Sequence, residues 1–346
     1  MPDAFRLDPK GARVKSILMI ATGGTIASAE DGNGLAPALS GEELAGYVPE
    51  IAEVCDLDIV QLMNIDSTNM RPRDWLRMAA CIQEHYDAYD GFVVLHGTDT
   101  MAYTAAALSY LVQDSPKPIV LTGSQRPMAN PFTDAKLNLF QSLLFAASDT
   151  AHDVSVVFGG EAIAGTRARK QRTMSANAFV SVNFPSLALI RNSRIVRAGA
   201  APASPSGPHF FNTLNERVIV LKLTPEMNPS IFELLKPDYD AVILETFGIG
   251  GIPEYEDASY ERAIFDWVES GRTVVLTTQV PEEGLDLGVY EVGRAYVDRP
   301  GILKGDDMTT EALVAKTMWA LGQTRDAQEL RELFYRPINH DRLPVL

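Results

Sequence analysis

Hydroxyl-bearing side chains follow two apolar segments of the 346-residue chain, at points where β-strands are predicted to end. The motif T-G-G-T-I at residues 22–26 follows the first segment, and H-G-T-D-T at residues 96–100 closes the second. Strand ends of this kind carry the chemistry of α/β enzymes. Adjacent glycines let backbone N–H groups approach a ligand closely, while Thr25 presents a hydroxyl from a loop whose path the strand fixes. The two strand ends are therefore predicted to converge on one site.

These motifs resemble those of the cytoplasmic type I L-asparaginases of bacteria. The likeness continues through residues 63–70, 90–110, 121–125 (L-T-G-S-Q) and 291–294 (E-V-G-R), so it covers nearly the whole chain. The resemblance implies a cofactor-free L-asparagine amidohydrolase, which hydrolyses a linear amide C–N bond and releases aspartate and ammonia through a threonine acyl-enzyme. It also implies a homodimer or homotetramer that takes L-asparagine as its small-molecule substrate.

The catalytic residues are carried by this resemblance. Amide hydrolysis needs a nucleophile, a proton relay for the leaving ammonia and donors for the oxyanion. The resemblance implies Thr25 as the nucleophile and Thr98, Asp99 and Lys170 as the second catalytic group. Lys170, partly desolvated beside Asp99, would take a proton from Thr98 or from a water molecule. The residues alone leave two alternatives open, namely Thr25 as a helix cap and Lys170 as a solvated lysine in an arginine-rich loop.

The substrate-binding residues are also implied by the resemblance. It places the α-carboxylate of the substrate on Ser67, with Thr68 beside it, and the α-amino group on Asp99. A helix that opens near Pro72 would add its N-terminal dipole to the carboxylate site. An Asx or Ser/Thr turn without a ligand is the alternative for the segment around Ser67. The predicted substrate contacts are Gly24, Ser67, Thr68, Gly97, Thr98 and Asp99.

Four positions depart from family patterns. Leu35 stands about where some relatives carry a tyrosine on a mobile lid, and Gly251 about where an asparagine reaches in from a neighbouring subunit. Glu245 and Val280 occupy the places of the arginine and cysteine that bind an allosteric asparagine. The role of the lid tyrosine is left open, the cross-subunit contact is not carried over, and allosteric regulation of that kind is not predicted.

Composition excludes several classes of function. The formal net charge of −15 disfavours nucleic acid and anionic membranes as partners. Cys55 and Cys81 are the only cysteines, which fits a reducing compartment. Five scattered histidines and a glycine motif without G-K-[ST] predict neither a metal nor a nucleotide cofactor. Because no stretch approaches the roughly 18 apolar residues of a membrane span and no signal peptide is evident, a cytoplasmic protein is predicted.

Strand-like and helical patterns alternate along the chain, as in βαβ units. The predicted fold is α/β with two doubly wound domains, a larger N-terminal parallel-sheet domain at residues 1–198 and a smaller C-terminal α/β domain at 217–346, joined by a linker at 199–216. Strands are predicted at residues 15–21, 58–62, 91–96, 118–122, 154–158, 217–223, 241–245 and 273–277. Helices are predicted at residues 41–48, 71–89, 101–112, 134–147, 259–270 and 309–321.

Two other functions fit parts of the pattern. A glutaminase-asparaginase, or an enzyme that acts on a D-amide, would use the same chemistry in a pocket of different volume. A non-catalytic amino-acid-binding sensor could also consist of two doubly wound domains, although the combination of Thr25, Thr98, Asp99 and Lys170 argues against it. The protein that supplies ammonia for tRNA transamidation shares the motifs, but the short stretch before residue 15 is expected to leave no room for an additional N-terminal domain.

Overall fold

The computed structural model describes residues 13–30, 35–37, 40–197, 199, 205, 207–256, 258–287, 296 and 299–343, without the side chains of 27–30 and 35–37. Most of the predicted linker between residues 198 and 206, and the E-V-G-R stretch at 291–294, lie outside the described residues. The chain divides into two compact units, the first of residues 1–181 and 185–212, the second of residues 182–184 and 213–346.

Unit 1 is built on an eight-stranded sheet. In order across the sheet, its strands are β13 (Arg194–Val196), β12 (Ala188–Arg191), β9 (Glu161–Ala164), β8 (Val154–Phe158), β7 (Ile119–Thr122), β5 (Gly91–Leu95), β1 (Ser16–Gly23) and β4 (Asp56–Ile65). The five strands from β8 to β4 are parallel, whereas β9, β12 and β13 extend the sheet in antiparallel fashion. The predicted parallel-sheet class is therefore confirmed, and the antiparallel edge is an addition that the sequence pattern did not predict.

The central strands β5, β7 and β8 are buried along their whole lengths. Parallel strands covered on both faces read as continuous apolar runs, which is why their positions could be predicted. The helices of unit 1 are α1 (Gly41–Gly46), α2 (Pro72–His85), α3 (Met101–Leu111) and α4 (Ala135–Ala146). Helix α1 begins with a capping box between Ser40 and Glu43, and α2 begins at a proline, where the missing N–H costs nothing.

Short elements complete unit 1. Three antiparallel pairs are formed by β2 (Ser28–Glu30) with β3 (Leu35–Pro37), β10 (Ala168–Lys170) with β11 (Phe179–Ser181), and β6 (Val112–Gln113) with β14 (His209–Phe210). The last pair involves residues within the predicted linker. Short 3-10 helices lie at Thr25–Ala27, Pro49–Glu53 and Ser67–Asn69.

Unit 2 contains a four-stranded parallel sheet. Its strands, in sheet order, are β15 (Val218–Lys222), β16 (Ala241–Thr246), β17 (Thr273–Thr278) and β18 (Ile302–Lys304), and its helices are α5 (Ile231–Leu235), α6 (Tyr260–Glu269), α7 (Thr310–Gln323) and α8 (Ala327–Tyr335). The fully buried rings of Phe232 and Trp267 pack into its core. The smaller C-terminal α/β domain is thus confirmed as a fold class. None of the helices in the described ranges combines the length and apolar character that a bilayer crossing requires.

An ion pair lies in the interior of unit 2. Lys316 of α7 and Asp341 both have fully buried side chains, and Nζ of Lys316 lies 2.5 Å from Oδ2 of Asp341. The Lys316 amine also donates to the carbonyl of Arg336 at 2.7 Å, and Oδ1 of Asp341 accepts the backbone N–H of Ile338 at 3.0 Å. Burial lowers the pKa of Lys316 to about 8. The pair therefore ties the segment that follows α8 to the middle of α7.

Candidate active site

Glycine contacts bring three loops of unit 1 together. Gly23 and Gly24 have φ values of 103° and 84°, in the region that side chains disfavour. A Cβ added to Gly24 would lie 2.5 Å from Cα of Gly97, and one added to Gly97 would lie 2.5 Å from Oγ of Ser67. The loops that follow β1, β5 and β4 therefore pack so closely that a side chain at Gly24 or Gly97 would clash with the neighbouring loop.

Lys170 joins the end of β5 from a distant part of the sequence. It is the last residue of β10, and its Nζ donates to Oγ1 of Thr98 at 2.8 Å and to Oδ1 of Asp99 at 2.6 Å. The Lys170 side chain is 18% exposed and that of Asp99 is 55% exposed, whereas Thr98 is buried. The structure thus brings together a hydroxyl, an amine and a carboxylate, which the sequence groups only through the family motifs.

Gln125 is a further partner of Thr98. The hydroxyl of Thr98 donates to Oε1 of Gln125 at 3.2 Å. Gln125 lies in the loop that follows β7, the neighbour of β5 in the sheet. The L-T-G-S-Q motif is part of the family resemblance, but the motif alone assigns no role to Gln125. Its position three residues after a buried strand was the signal that could have drawn attention to it.

Thr25 is partly buried and is the first residue of its 3-10 turn. The N-cap position of that turn therefore falls on Gly24, and the alternative role of Thr25 as a cap loses its geometric basis. The next residue, Ile26, accepts a hydrogen bond through its carbonyl from the backbone N–H of Met128 at 3.3 Å. The turn that carries Thr25 is therefore attached to the loop that follows β7.

The hydroxyls of Ser67 and Thr68 are adjacent in the sequence but have different surroundings. Both the backbone N–H and the hydroxyl of Thr68 donate to Oδ1 of Asp66, at 2.8 and 2.9 Å. This is the Asx turn that the residues alone had suggested, and it occupies both donors of Thr68. Ser67 is 3% exposed and its Oγ faces Gly97, while its carbonyl accepts the hydroxyl of Thr100 at 2.8 Å. Ser67 rather than Thr68 is therefore placed against the other loops of the site.

His96 supports the Gly97 loop from inside the core. Its Nδ1 lies 2.7 Å from the carbonyl of Gly97, and its Nε2 lies 2.9 Å from Oγ1 of Thr104, which also accepts the indole N–H of Trp75 at 2.9 Å. Because the carbonyl of Gly97 can only accept, the neutral imidazole carries its proton on Nδ1 and donates it to Gly97, and Nε2 accepts the hydroxyl proton of Thr104. Complete burial lowers the pKa of His96 to about 4. His96 is thus a hydrogen-bonded structural residue.

Of the four positions that depart from family patterns, one lies in unit 1 and three lie in unit 2. Leu35 begins β3, but its side chain lies outside the described residues. The others belong to unit 2, where Gly251 closes a tight turn onto Phe247 and Val280 is 49% exposed. Oε1 of Glu245 accepts the hydroxyl of Thr310 at 2.6 Å. The carboxylate of Glu245 is therefore held by a neighbour within unit 2.

Metal-binding and thiol chemistry find little support in the described ranges. They contain no group of three or more His, Cys, Asp or Glu residues that could hold a metal ion. Cys55 and Cys81 are both buried free thiols. Burial raises the pKa of Cys55 to about 12, so its thiolate is not available near neutral pH.

A hydroxyl, an amine and a carboxylate at the carboxyl ends of a parallel sheet, facing a glycine turn, define the kind of centre that hydrolyses acyl compounds. Family models agree with that class. The model described as "Asparaginase, N-terminal" matches residues 16–201, and the one described as "Glutaminase/Asparaginase C-terminal domain" matches residues 217–334. The chain belongs to the asparaginase/glutaminase family.

Individual relatives match across most of the chain. The L-asparaginase of Thermococcus kodakarensis is 37% identical over 325 residues, which are 93% of this chain and 97% of that protein. One component of the glutamyl-tRNA(Gln) amidotransferase of Pyrococcus horikoshii is 36% identical over 331 residues, 92% of this chain but 74% of that protein. The solved structure of the thermostable L-asparaginase from Thermococcus kodakarensis superimposes with a TM-score of 0.88 at 35% identity, covering 95% of this chain and 100% of that one.

Proposed function

We propose that this protein hydrolyses L-asparagine to L-aspartate and ammonia. The observation that carries the proposal is the amine of Lys170, which bonds both Thr98 and Asp99 at a strand end that touches the Gly23-Gly24 turn. A sensor needs no hydroxyl hydrogen-bonded to a lysine in its binding site. An amide hydrolase needs groups that move protons, because its nucleophile must lose a proton and its leaving group must gain one, and a hydroxyl bonded to an amine can serve this purpose.

The first half of the reaction is assigned to Thr25. Its Oγ1 attacks the side-chain amide carbon of asparagine, a C–O bond forms, and the C–N bond breaks as ammonia leaves with the proton that the hydroxyl has lost. The backbone near Gly24 and Gly97, where glycines leave N–H groups accessible, is assigned to the oxyanion. This step leaves a β-aspartyl ester on Thr25.

The second half is assigned to water and to the group formed by Thr98, Lys170 and Asp99. A water molecule attacks the ester carbon, the bond to Oγ1 of Thr25 breaks, and the water's proton returns to that oxygen. Lys170 takes and returns protons through Thr98, because Nζ of Lys170 and Oγ1 of Thr98 are 2.8 Å apart. Asp99 holds the amine in place through Oδ1.

The α-end of the substrate is assigned to two residues. Ser67 receives the α-carboxylate, since its hydroxyl faces Gly97, and the half-exposed Asp99 receives the α-amino group. Thr68 was expected to share the carboxylate, but its two donors are held by Asp66. We therefore assign Thr68 to the shape of the turn.

We extend the proposal to the class and assembly that the motifs imply. The protein is inferred to be a bacterial cytoplasmic asparaginase of type I and to work as a homodimer or homotetramer without a cofactor. Residues 1–198 are proposed as the catalytic domain, with residues 199–216 as the linker and 217–346 as the second domain. Light scattering on the purified protein tests the assembly, with a monomer as the contrary result.

An ammonia-release assay tests the function. Purified protein should release ammonia from L-asparagine, and the Thr25→Ala variant should fold but lose at least about three orders of magnitude in kcat, because the covalent route disappears. Binding of L-asparagine by calorimetry without ammonia release would instead identify an amino-acid sensor. A variant that retains activity within tenfold would remove Thr25 from the nucleophile role.

A further inference from the structure

Residues 123–128, the first part of the loop between β7 and α4, contact Thr98 and the turn that carries Thr25. We propose that Gln125 of this loop is a positioning residue, whose amide oxygen holds the Thr98 hydroxyl so that a lone pair of its oxygen faces the amine of Lys170. The inference rests on the proposed function, because it takes Thr98 and Lys170 as the proton relay.

The hydrogen bonds of Thr98 are arranged in one direction. Oγ1 of Thr98 accepts from Nζ of Lys170 at 2.8 Å and donates to Oε1 of Gln125 at 3.2 Å. A hydroxyl has one proton and two lone pairs, so a proton held by Gln125 leaves a lone pair facing Lys170. Without an acceptor on the far side, the hydroxyl could rotate about its C–O bond and Thr98 could leave its rotamer. Gln125 therefore determines where both the oxygen and the proton lie.

The side-chain amide of Gln125 is itself held in one orientation. Its Nε2 lies 3.4 Å from the carbonyl oxygens of Arg172 and Ser175. Both atoms are acceptors, so the NH2 group must face them and the amide oxygen must face Thr98. An amide flip would set oxygen against two carbonyl oxygens. Residues 172 and 175 belong to the hairpin loop that follows Lys170, so Gln125 also links Thr98 to the segment that carries the lysine.

Asp134 fixes the backbone of the same loop. It occupies the N-cap position of α4, yet its side chain makes no capping hydrogen bond. Its carboxylate instead accepts the backbone N–H of Gln125 at 3.0 and 3.1 Å and that of Arg126 at 3.1 Å. An N-cap hydrogen bond is typically worth about 1 kcal/mol, and here the helix forgoes it. Asp134 is therefore directed toward the loop and holds Gln125 against the site.

Two further contacts extend this support. Asn138 of α4 donates to the carbonyl of Gly123 at 3.0 Å and to Oδ2 of Asp134 at 3.1 Å. At the other end of the loop, Met128 donates to the carbonyl of Ile26, next to Thr25. The loop is thus anchored on α4, contacts Thr98 through a side chain and contacts the Thr25 turn through its backbone.

The decisive experiment compares Gln125→Met with the matched control Gln171→Met. Gln171 is an exposed glutamine next to Lys170, so the control makes the same chemical change beside the site. Steady-state ammonia release from L-asparagine should show at least about a tenfold lower kcat for Gln125→Met with KM within about twofold, since a lost hydrogen bond typically corresponds to such a factor. Gln171→Met should stay within about twofold of wild type in both parameters.

Removing the hydroxyl of Thr98 distinguishes a positioning effect of Gln125 on that hydroxyl from a general structural effect of the substitution. In a Thr98→Ala background, Gln125→Met should lower the residual kcat by no more than about twofold, because its target is gone. A second variant, Asp134→Asn, weakens the hydrogen bonds that hold the loop. It should lower kcat by about threefold when Thr98 is present and should have no such effect in the Thr98→Ala background. Circular dichroism at the assay temperature normalises each rate to the folded fraction.

Each result decides the matter. If Gln125→Met and Asp134→Asn keep wild-type kcat, or lower it equally in the presence and absence of the Thr98 hydroxyl, the positioning role is refuted while the proposed function stands. A Gln125→Met protein that does not fold leaves the decision to Asp134→Asn. Wild-type protein that releases no ammonia from asparagine refutes the proposed function and, with it, this inference.

Discussion

Two lysine–aspartate pairs, one in each unit, look alike in local geometry and differ in everything around them. Nζ of Lys170 lies 2.6 Å from Asp99, and Nζ of Lys316 lies 2.5 Å from Asp341. The first pair is partly open, with Asp99 55% exposed, and the second is completely buried. A short Lys–Asp distance therefore says nothing by itself about function.

The third partner of each lysine separates the two pairs. Lys170 also bonds the hydroxyl of Thr98, a group that can gain or lose a proton. Lys316 bonds the backbone carbonyl of Arg336, which has no proton to exchange. The lowered pKa of Lys316 resembles the signature of many functional sites, but here it has a structural cause in burial. Access for a substrate and an exchangeable neighbour are the features that point to chemistry.

Replacing Lys170 should have the largest effect on activity. In Lys170→Met, kcat should fall by at least about three orders of magnitude, since the proton relay is lost. The melting temperature should change by only a few degrees, because the Asp99 carboxylate left behind is solvated and exposed pairs contribute about 0–1 kcal/mol. Ammonia release and thermal unfolding are the measurements. An active but unstable variant would make Lys170 a structural residue like Lys316.

Replacing Lys316 should lower stability strongly and leave activity nearly unchanged. In Lys316→Met, the buried carboxylate of Asp341 loses its partner, and the free energy of unfolding should drop by about 3–5 kcal/mol. Denaturant titration measures this loss, and kcat per folded molecule should stay within about twofold of wild type. The double variant Lys316→Met/Asp341→Asn removes the stranded charge but keeps an acceptor for Ile338. It should recover more than half of the loss, and no recovery would contradict the ion-pair explanation.

The openness of Asp99 has a consequence for selectivity. If Asp99 and Ser67 hold the α-end of the substrate, the reacting carbon has a fixed reach to Thr25. Glutamine must then displace its amide or fold its extra methylene aside, and a misplacement of about 1 Å can cost two orders of magnitude. L-Asparagine should therefore exceed L-glutamine by at least about tenfold in kcat/KM.

Parallel ammonia-release assays on the two amides measure this ratio. Equal values would mean that the anchors at the α-end are misassigned, and the protein would be better described as a glutaminase-asparaginase. Asp99→Asn serves as the control, because it keeps the shape of the side chain but removes the charge proposed to hold the α-amino group. Loss of selectivity in that variant would link the preference to Asp99.

Sequence patterns predicted the parts of the fold that are buried on both faces. Strand β8 was predicted at its observed bounds, and β5 and β7 to within one residue at either end, because their apolar runs are continuous. Strands β12 and β13 escaped prediction because they are short and alternate between buried and exposed positions. Their structure is decided by the pairing of β12 with β9 and of β13 with β12, and not by the local pattern.

The residues of the candidate site also fall into two groups, those that sequence motifs predict and those that only the tertiary contacts reveal. Thr98, Asp99 and Lys170 stood in recognisable motifs, and the fold places them within hydrogen-bond distance. Gln125 and Asp134 act through contacts that exist only once β7 lies beside β5 and α4 lies behind the loop. No local spacing announces such contacts, just as none predicted that Lys316 would meet Asp341 across 25 residues.

The smallest predicted effect concerns the pH dependence of stability that arises from His96, a buried ionisable residue of unit 1 whose hydrogen-bond partners are uncharged. Unit 2 buries Lys316 with a carboxylate, whereas the hydrogen bonds of His96 go to a carbonyl and a hydroxyl, which suit a neutral imidazole. Burial lowers the pKa of His96 to about 4, from 6.5 in the unfolded chain. Between these values the unfolded chain binds more protons, so the stability that the neutral imidazole contributes is present above pH 6.5 and is lost as the pH falls toward 4.

At pH 5.5 the loss attributable to His96 should be about 1.4 kcal/mol relative to pH 7.5, since one pKa unit corresponds to that amount. Denaturant titration of wild type and of His96→Gln at the two pH values isolates this part, because all other groups are shared. The variant is expected to be less stable at pH 7.5, where the hydrogen bonds to Gly97 and Thr104 are disturbed, but to lose less on acidification. If both proteins lose the same stability between the two pH values, His96 titrates normally in the folded state, and the Gly97 loop would have to tolerate a charged imidazole beneath the catalytic strand end.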